Sequence, residues 1–78
     1  METPLQFDWD TNKSDWTLEN RGFDFEFASR IFAGVTVENI DDRFDYGEER
    51  IGAFGEVEGI VLFVVYTDRA DKRRIISA

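Results

Sequence analysis

The chain has 78 residues and a mass of 9.1 kDa, which predicts a single domain spanning residues 1–78. It contains no Cys and no His, and this excludes thiol nucleophiles, Ser-His-Asp triads and zinc sites built from those ligands. Seventeen acidic residues against nine basic ones give a net charge of −8, which argues against an extended nucleic-acid-binding surface.

The apolar segments of the chain are short. The longest run, Ile60–Tyr66, is far below the ~18 residues that a membrane-spanning helix needs. The N-terminus lacks the apolar core of a signal peptide, and the absence of Cys agrees with a reducing compartment. We therefore expect a soluble, cytoplasmic protein without a membrane partner.

The first twenty residues carry the signals of a short strand followed by a helix. Leu5, Phe7 and Trp9 alternate with polar residues, which predicts a strand with one buried face. The next segment begins with competent N-caps and reaches Arg21 without Gly or Pro. Because Gly22 is a suitable C-cap, this segment is predicted to be a helix.

Residues 23–33 fit two periodicities. Phe23, Phe25 and Phe27 alternate as in a strand, whereas Phe23, Phe27 and Ile31 recur at the four-residue spacing of a helix. Asp24 is a plausible N-cap, flanked by the two positions of a hydrophobic staple. We choose the helix and keep the strand as the alternative.

The segments after Gly34 favour β structure. Strand-like runs begin at Val35, span Arg50–Val57 and Ile60–Tyr66, and include the C-terminal Ile75 and Ile76. The separating turns are acidic residues 41–47, the pair 58–59 and residues 68–72. The third run is apolar at every position, which predicts a central strand covered on both faces.

The element order predicts an α+β fold. A short N-terminal strand and two helices precede four strands, and we expect the helices to pack on one face of an antiparallel four-stranded meander.

Several segments together resemble one known family. Phe7-Asp8-Trp9-Asp10 with Lys13 is similar to the opening of the BrnT toxins, as are Gly22, Phe25 and Ala28 after it. The second half is closer still. It contains Asp45-Tyr46-Gly47-Glu48-Glu49-Arg50, Phe54-Gly55, Val64-Val65-Tyr66-Thr67 with Arg69, and Arg74-Ile75-Ile76-Ser77-Ala78, in the family's order and spacing.

The resemblance implies a function and partners. BrnT proteins are the toxins of type II toxin-antitoxin pairs, with a fold similar to the RelE ribonucleases. They cut RNA without a metal or cofactor and thereby inhibit translation. Their antitoxin carries a ribbon-helix-helix DNA-binding domain. The partners implied here are thus a cognate antitoxin and RNA.

The sequence departs from the family pattern in three respects. Asn20-Arg21 replaces the family's Lys-His, so the imidazole is missing. Family members usually continue with a basic C-terminal helix, whereas this sequence ends at Ala78. Such toxins are generally basic, whereas this chain has a net charge of −8. All three departures reduce attraction to RNA.

RNA cleavage without a metal requires a base, a clamp for the phosphate and a proton donor. Without His, the base must be Lys, Tyr or a carboxylate, and Arg suits the clamp because its planar fork grips phosphate. The predicted catalytic residues are Lys13, Glu49, Arg50, Tyr66 and Arg69. The predicted RNA-binding residues are Arg21, Lys72, Arg73 and Arg74, and Arg69 and Arg74 are the preferred clamp.

Each of these residues has a simpler interpretation. Glu49 and Arg50 fit surface ion pairs, Tyr66 fits a core side chain with its hydroxyl at the rim, and Lys13 fits a solvated helix position. Residues 72–74 fit a solvated turn. The acidic residues between 41 and 49 lack the spacing of a calcium loop, so no metal site is predicted.

Two other functions remain open from the sequence. A scaffold that has lost its chemistry but keeps its antitoxin surface would act as a protein-binding module. A structural domain could instead form a homodimer through an exposed sheet edge.

Overall fold

The described part of the computed structural model comprises residues 5–43 and 45–78. The elements are β1 (Gln6–Trp9), α1 (Thr11–Arg21), α2 (Phe25–Ser29), a 3₁₀ turn (Arg30–Ala33), β2 (Val37–Asp41), β3 (Arg50–Val57), β4 (Ile60–Arg69) and β5 (Lys72–Ser77). No helix in this part of the chain is long and apolar enough to cross a membrane.

Local capping signals define the helices. The Asp10 side chain accepts hydrogen bonds from the backbone N–H groups of Asn12 and Lys13, and Gly22 ends α1 at φ 84°. The Asp24 side chain caps α2 by accepting from Phe27 N–H at 2.9 Å. The choice of helix for residues 23–33 is confirmed, although this segment changes from α to 3₁₀ geometry after Ser29.

The expected sheet of four antiparallel strands is wrong in one respect, because the sheet is mixed and has five strands in the order β1-β5-β4-β3-β2. Strands β2 to β5 form the predicted antiparallel meander, whereas β1 pairs in parallel with β5. Side chains on both faces hold β1 in place, one against the 3₁₀ turn and one against β5. Phe7 stacks on Phe32 with ring centroids 5.6 Å apart, and Asp8 pairs with Arg74 at 2.8 Å.

The core lies between α2, the 3₁₀ turn and one face of the sheet, which we call the helix face. Phe25, Ala28 and Ile31 are buried there. They pack in one cluster with sheet side chains, namely Ala53, Val57, Leu62, Val64, Tyr66 and Ile75. Gly55 allows this close approach, because a Cβ at its position would lie 2.6 Å from Ile31 Cβ.

A second expectation from the sequence is wrong, and it concerns the opposite face of the sheet, which we call the open face. The apolar run in β4 predicted a strand covered on both faces, but Val61 is 66% exposed and Phe63 is 41% exposed. Leu62 and Val64, which alternate with these two residues along β4, are buried in the core. Val61 and Phe63 therefore point away from the helix face. No described helix covers them.

Candidate functional site

Four basic side chains occupy the polar end of the open face. Register pairs Arg69 with Lys72, and it pairs Thr67 with Arg74. Tyr66, Asp68 and Arg73 alternate with these residues and face the other way. Arg50 begins β3 beside this end of β4. We call Arg50, Arg69, Lys72 and Arg74 the basic cluster.

Glu48 connects two members of the basic cluster. Its carboxylate accepts hydrogen bonds from Arg69 Nε at 3.2 Å and from Arg69 Nη2 at 3.1 Å. The same carboxylate lies 3.6 Å from Arg50 Nε. The hydrogen bonds from Arg69, followed by the charges of Arg69 and Arg50, hold the pKa of Glu48 below its ordinary value. Glu48 is therefore ionised at neutral pH.

Arg50 has unused hydrogen-bonding capacity. Its guanidinium lies 4.0 Å from the centroid of the Tyr46 ring, and its Nε is buried without a hydrogen-bond partner among the described residues. The Glu48 carboxylate lies 3.6 Å from this Nε, so the two groups interact through their charges.

The remaining two cations of the cluster differ in their pairing. Arg74 donates a hydrogen bond to Asp8 at 2.8 Å, and this bond lowers the pKa of Asp8. Lys72 makes no ion pair within 4 Å with any residue of the described ranges. Glu48 and Asp8 are thus the acidic side chains that form ion pairs with members of the basic cluster in the described part of the chain.

Tyr66 and Arg73, two of the predicted site residues, lie together on the helix face. Tyr66 is 2% exposed and donates a short hydrogen bond to Glu38. The Arg73 guanidinium lies 4.0 Å from the Tyr66 ring centroid and pairs with Asp68 at 2.9 Å. Burial, followed by the bond to Glu38, raises the pKa of Tyr66. The phenol is therefore held protonated, which opposes a role as general base.

Lys13 and Arg21, also predicted site residues, lie apart from both groups. They are exposed on α1 and share the lining of a hollow of about 290 Å³ with Trp16 and the end of β5. The Arg21 guanidinium lies 5.7 Å from the Trp16 ring centroid.

Glu49 precedes β3, and its backbone carbonyl accepts a hydrogen bond from the Thr67 hydroxyl at 2.8 Å. This bond ties the start of β3 to β4 beneath the basic cluster.

The sequence reasoning missed the roles of Glu48 and Glu38. Glu48 was named only as one residue of a family motif, and Glu38 was not singled out. Their partners, Arg69 and Tyr66, are 21 and 28 residues away in the chain. One signal was available for Glu48, which stands next to Glu49 and Arg50 in the motif that carries the resemblance.

The basic cluster contains the chemical groups that metal-independent phosphate chemistry requires. Guanidinium and ammonium groups on neighbouring strands are donors of the kind that suit phosphate oxygens, and the ionised Glu48 carboxylate, a proton acceptor, contacts two of the arginines. Among residues 5–43 and 45–78, no three or more Asp and Glu side chains are grouped so that they could hold a metal ion. The fold and the site thus define a small α+β protein with a cluster of four basic side chains on a sheet face that no described helix covers.

Comparison with known proteins gives the family. Residues 9–78 match the family described as the ribonuclease toxin BrnT of type II toxin-antitoxin systems. The match covers most of the chain, and the chain belongs to the BrnT family. No curated protein matches it. Membership in this family implies an antitoxin as partner.

Proposed function

We propose that this protein is a metal-independent endoribonuclease whose RNA backbone binds at the basic cluster, and that its cleavage of RNA inhibits translation. The observation that supports this best is the placement of Arg50, Arg69, Lys72 and Arg74 at one end of the open face, where the Glu48 carboxylate contacts Arg50 and Arg69. The family provides the reaction class, and the cluster provides the chemical groups.

The proposed reaction is a transesterification within one RNA strand. Glu48 accepts the proton of the ribose 2′-hydroxyl, and the 2′-oxygen forms a bond to the adjacent phosphorus. The bond from phosphorus to the 5′-oxygen breaks, and Lys72 donates a proton to that oxygen. The products are a 2′,3′-cyclic phosphate and a 5′-hydroxyl. Arg69 and Arg74 stabilise the negative charge on the phosphate oxygens.

The other predicted site residues have supporting places in this proposal. Arg73 and Tyr66 hold the helix face of β4 and β5 in position behind the cluster. Lys13 and Arg21 offer positive charge along α1 to a longer RNA strand. The proposal also includes a fold of the RelE type and a ribbon-helix-helix antitoxin, which rest on the resemblance described above, and a cytoplasmic location, which rests on the composition of the chain.

The direct test is induced expression without the antitoxin, combined with cleavage of RNA by the purified protein in EDTA. We expect growth arrest and metal-independent cleavage. Arg69→Ala should reduce both, because the clamp loses a charged fork. Arg30→Ala is the matched control, since Arg30 also forms an ion pair, with Glu26 at 3.2 Å, but lies on the 3₁₀ turn.

Two results would contradict the proposal. Normal growth despite soluble expression, with no cleavage of RNA in vitro, would exclude the ribonuclease. Equal loss of cleavage in Arg69→Ala and Arg30→Ala, both folded, would show that the basic cluster has no special role.

A non-catalytic binding module is the second candidate. The observation that favours it is the combination of a net charge of −8 with exposed apolar side chains on the open face, which together suit a basic, apolar protein segment. Antitoxin binding without any ribonuclease activity is the outcome that would support it.

A further inference from the structure

Half of β4 has an unpaired edge. Strand β5 pairs with β4 only over Val65–Arg69, whereas residues 60–64 of β4 pair only with β3 within the described sheet. An edge of this kind presents a row of backbone donors and acceptors to any extended segment that reaches it.

The hairpin between β3 and β4 fixes the direction of these backbone groups. Glu58 and Gly59 have φ values of 50° and 81°, which is a two-residue turn of the I′ type. In such a hairpin Val57 and Ile60 exchange hydrogen bonds, and the alternation that follows directs the N–H and C=O of Val61 and Phe63 away from β3. Val65 continues this pattern and is paired with β5.

Apolar side chains lie next to the same edge. Val61 and Phe63 are exposed on the open face, and the Phe63 ring contacts Phe54 with centroids 4.6 Å apart. A hollow of about 310 Å³ adjoins the edge, and its lining includes Arg21, Phe23 and Leu62 in addition to Val61, Phe63 and the end of β5. The backbone edge and the apolar surface therefore coincide.

We propose that an extended segment of the antitoxin adds to the sheet here, as a new strand beside residues 60–64 of β4. Backbone hydrogen bonds to Val61 and Phe63 would provide affinity, and alternate apolar side chains would cover the same two residues. The proposal rests on the family's antitoxin partner and does not require that the ribonuclease reaction proposed above be correct.

The charge around the edge indicates the chemistry of that segment. Glu56 is the register partner of Val61 and is exposed on the open face, and Glu58 is exposed in the adjoining turn. The antitoxin segment should therefore carry Lys or Arg where it passes Glu56 and Glu58, whereas Arg21 lines the hollow at the edge. A second copy of this chain fits less well, because two copies would each bring a net charge of −8 to the contact.

The first test is amide hydrogen exchange of the full chain, alone and in complex with the antitoxin from the same operon. The amides of Val61 and Phe63 should exchange at least about tenfold more slowly in the complex. Unchanged exchange at both amides would overturn the proposal without any variant having to fold.

The second test is the variant Val61→Pro, measured by calorimetry against the same antitoxin. Proline removes the outward N–H but leaves the hydrogen bonds to β3, because that N–H does not face β3. We expect at least about tenfold weaker binding. Val61→Ala is the matched control, since it shortens the same side chain and keeps the N–H, and it should bind within about threefold of the original chain.

The outcomes separate this proposal from the alternatives. An unchanged Kd for folded Val61→Pro would overturn it. Sedimentation showing a dimer of the chain alone that Val61→Pro dissociates would assign the edge to a second copy and would also overturn it. RNA cleavage by Val61→Pro should equal that of the original chain. If neither cleaves RNA, the proposed ribonuclease fails while the binding result stands.

Discussion

Glu48 contacts two arginines of the basic cluster at once, and this position makes its role testable at a single residue. Glu48→Gln keeps the shape of the side chain but removes the proton acceptor. We expect the turnover of RNA to fall about 10²- to 10⁴-fold. Binding of RNA should be equal or tighter, because a negative charge is lost beside Arg69. Turnover and Kd measured separately on one RNA would check this.

The control for Glu48 is Glu26→Gln. Glu26 also pairs with an arginine, Arg30, at 3.2 Å, but it lies on α2 away from the cluster, so its substitution should leave turnover unchanged. Equal turnover in Glu48→Gln and the original chain would remove Glu48 from the mechanism.

The pH dependence of cleavage follows from the same contacts. Because Arg69 and Arg50 hold the pKa of Glu48 below its ordinary 4.5, the carboxylate remains a competent base throughout the neutral and weakly acidic range. We expect kcat/KM to decline on the acid side only below about pH 4.5. A pH profile with an acid limb near pH 7 would assign the base to a different group.

At the scale of elements, the contact between β3 and the 3₁₀ turn depends on Gly55. A Cβ at this position would lie 2.6 Å from Ile31 Cβ and 3.3 Å from Thr36 Cγ2. Gly55→Ala should therefore reduce the free energy of unfolding by about 1–3 kcal/mol, measured by urea denaturation. Gly34→Ala is the control, because a Cβ there meets no atom within 4 Å, and it should change stability by less than about 0.5 kcal/mol. Equal effects of the two variants would contradict this packing.

Local chemistry explains which elements could be predicted from the sequence. Asp10, Gly22 and Asp24 act on neighbouring backbone groups, so the helix ends were visible as residue types. The turn at Glu58-Gly59 was visible for the same reason. The parallel pairing of β1 with β5 was not, because the Asp8–Arg74 contact joins residues 66 positions apart.

The site was only partly visible from the sequence, for a related reason. Residue types and the family motifs selected Arg50, Arg69, Lys72 and Arg74, which the sheet brings together. They also selected Tyr66 and Arg73, which strand alternation places on the opposite face. A shift of one residue along a strand moves a side chain to the opposite face of the sheet. The strand ends predicted from the sequence were not precise enough to assign each side chain to a face. The apolar run in β4 similarly gave no sign that one of its faces is uncovered.

For the whole molecule, the balance between ion pairs and net charge predicts the response to acid. The carboxyls of Asp8, Glu38, Asp41 and Glu48 all have lowered pKa values, because each accepts hydrogen bonds from a cation or a hydroxyl. A group with a lower pKa in the folded chain binds more protons when unfolded. Stability is therefore complete above the unfolded pKa values near 4 and is lost as the pH falls through the folded ones.

Asp41 sets the lowest pH at which these lowered pKa values still contribute to stability. Hydrogen bonds from Arg43 lower its pKa to about 2, so we expect the free energy of unfolding to decline from about pH 4.5 to about pH 2. Urea denaturation at successive pH values would measure the decline, and Asp41→Asn should flatten its most acidic part. The net charge of −8 acts in the opposite direction, because protonation relieves repulsion among the carboxylates. Stability that rises from pH 5 to pH 3 would show that this relief outweighs the ion pairs.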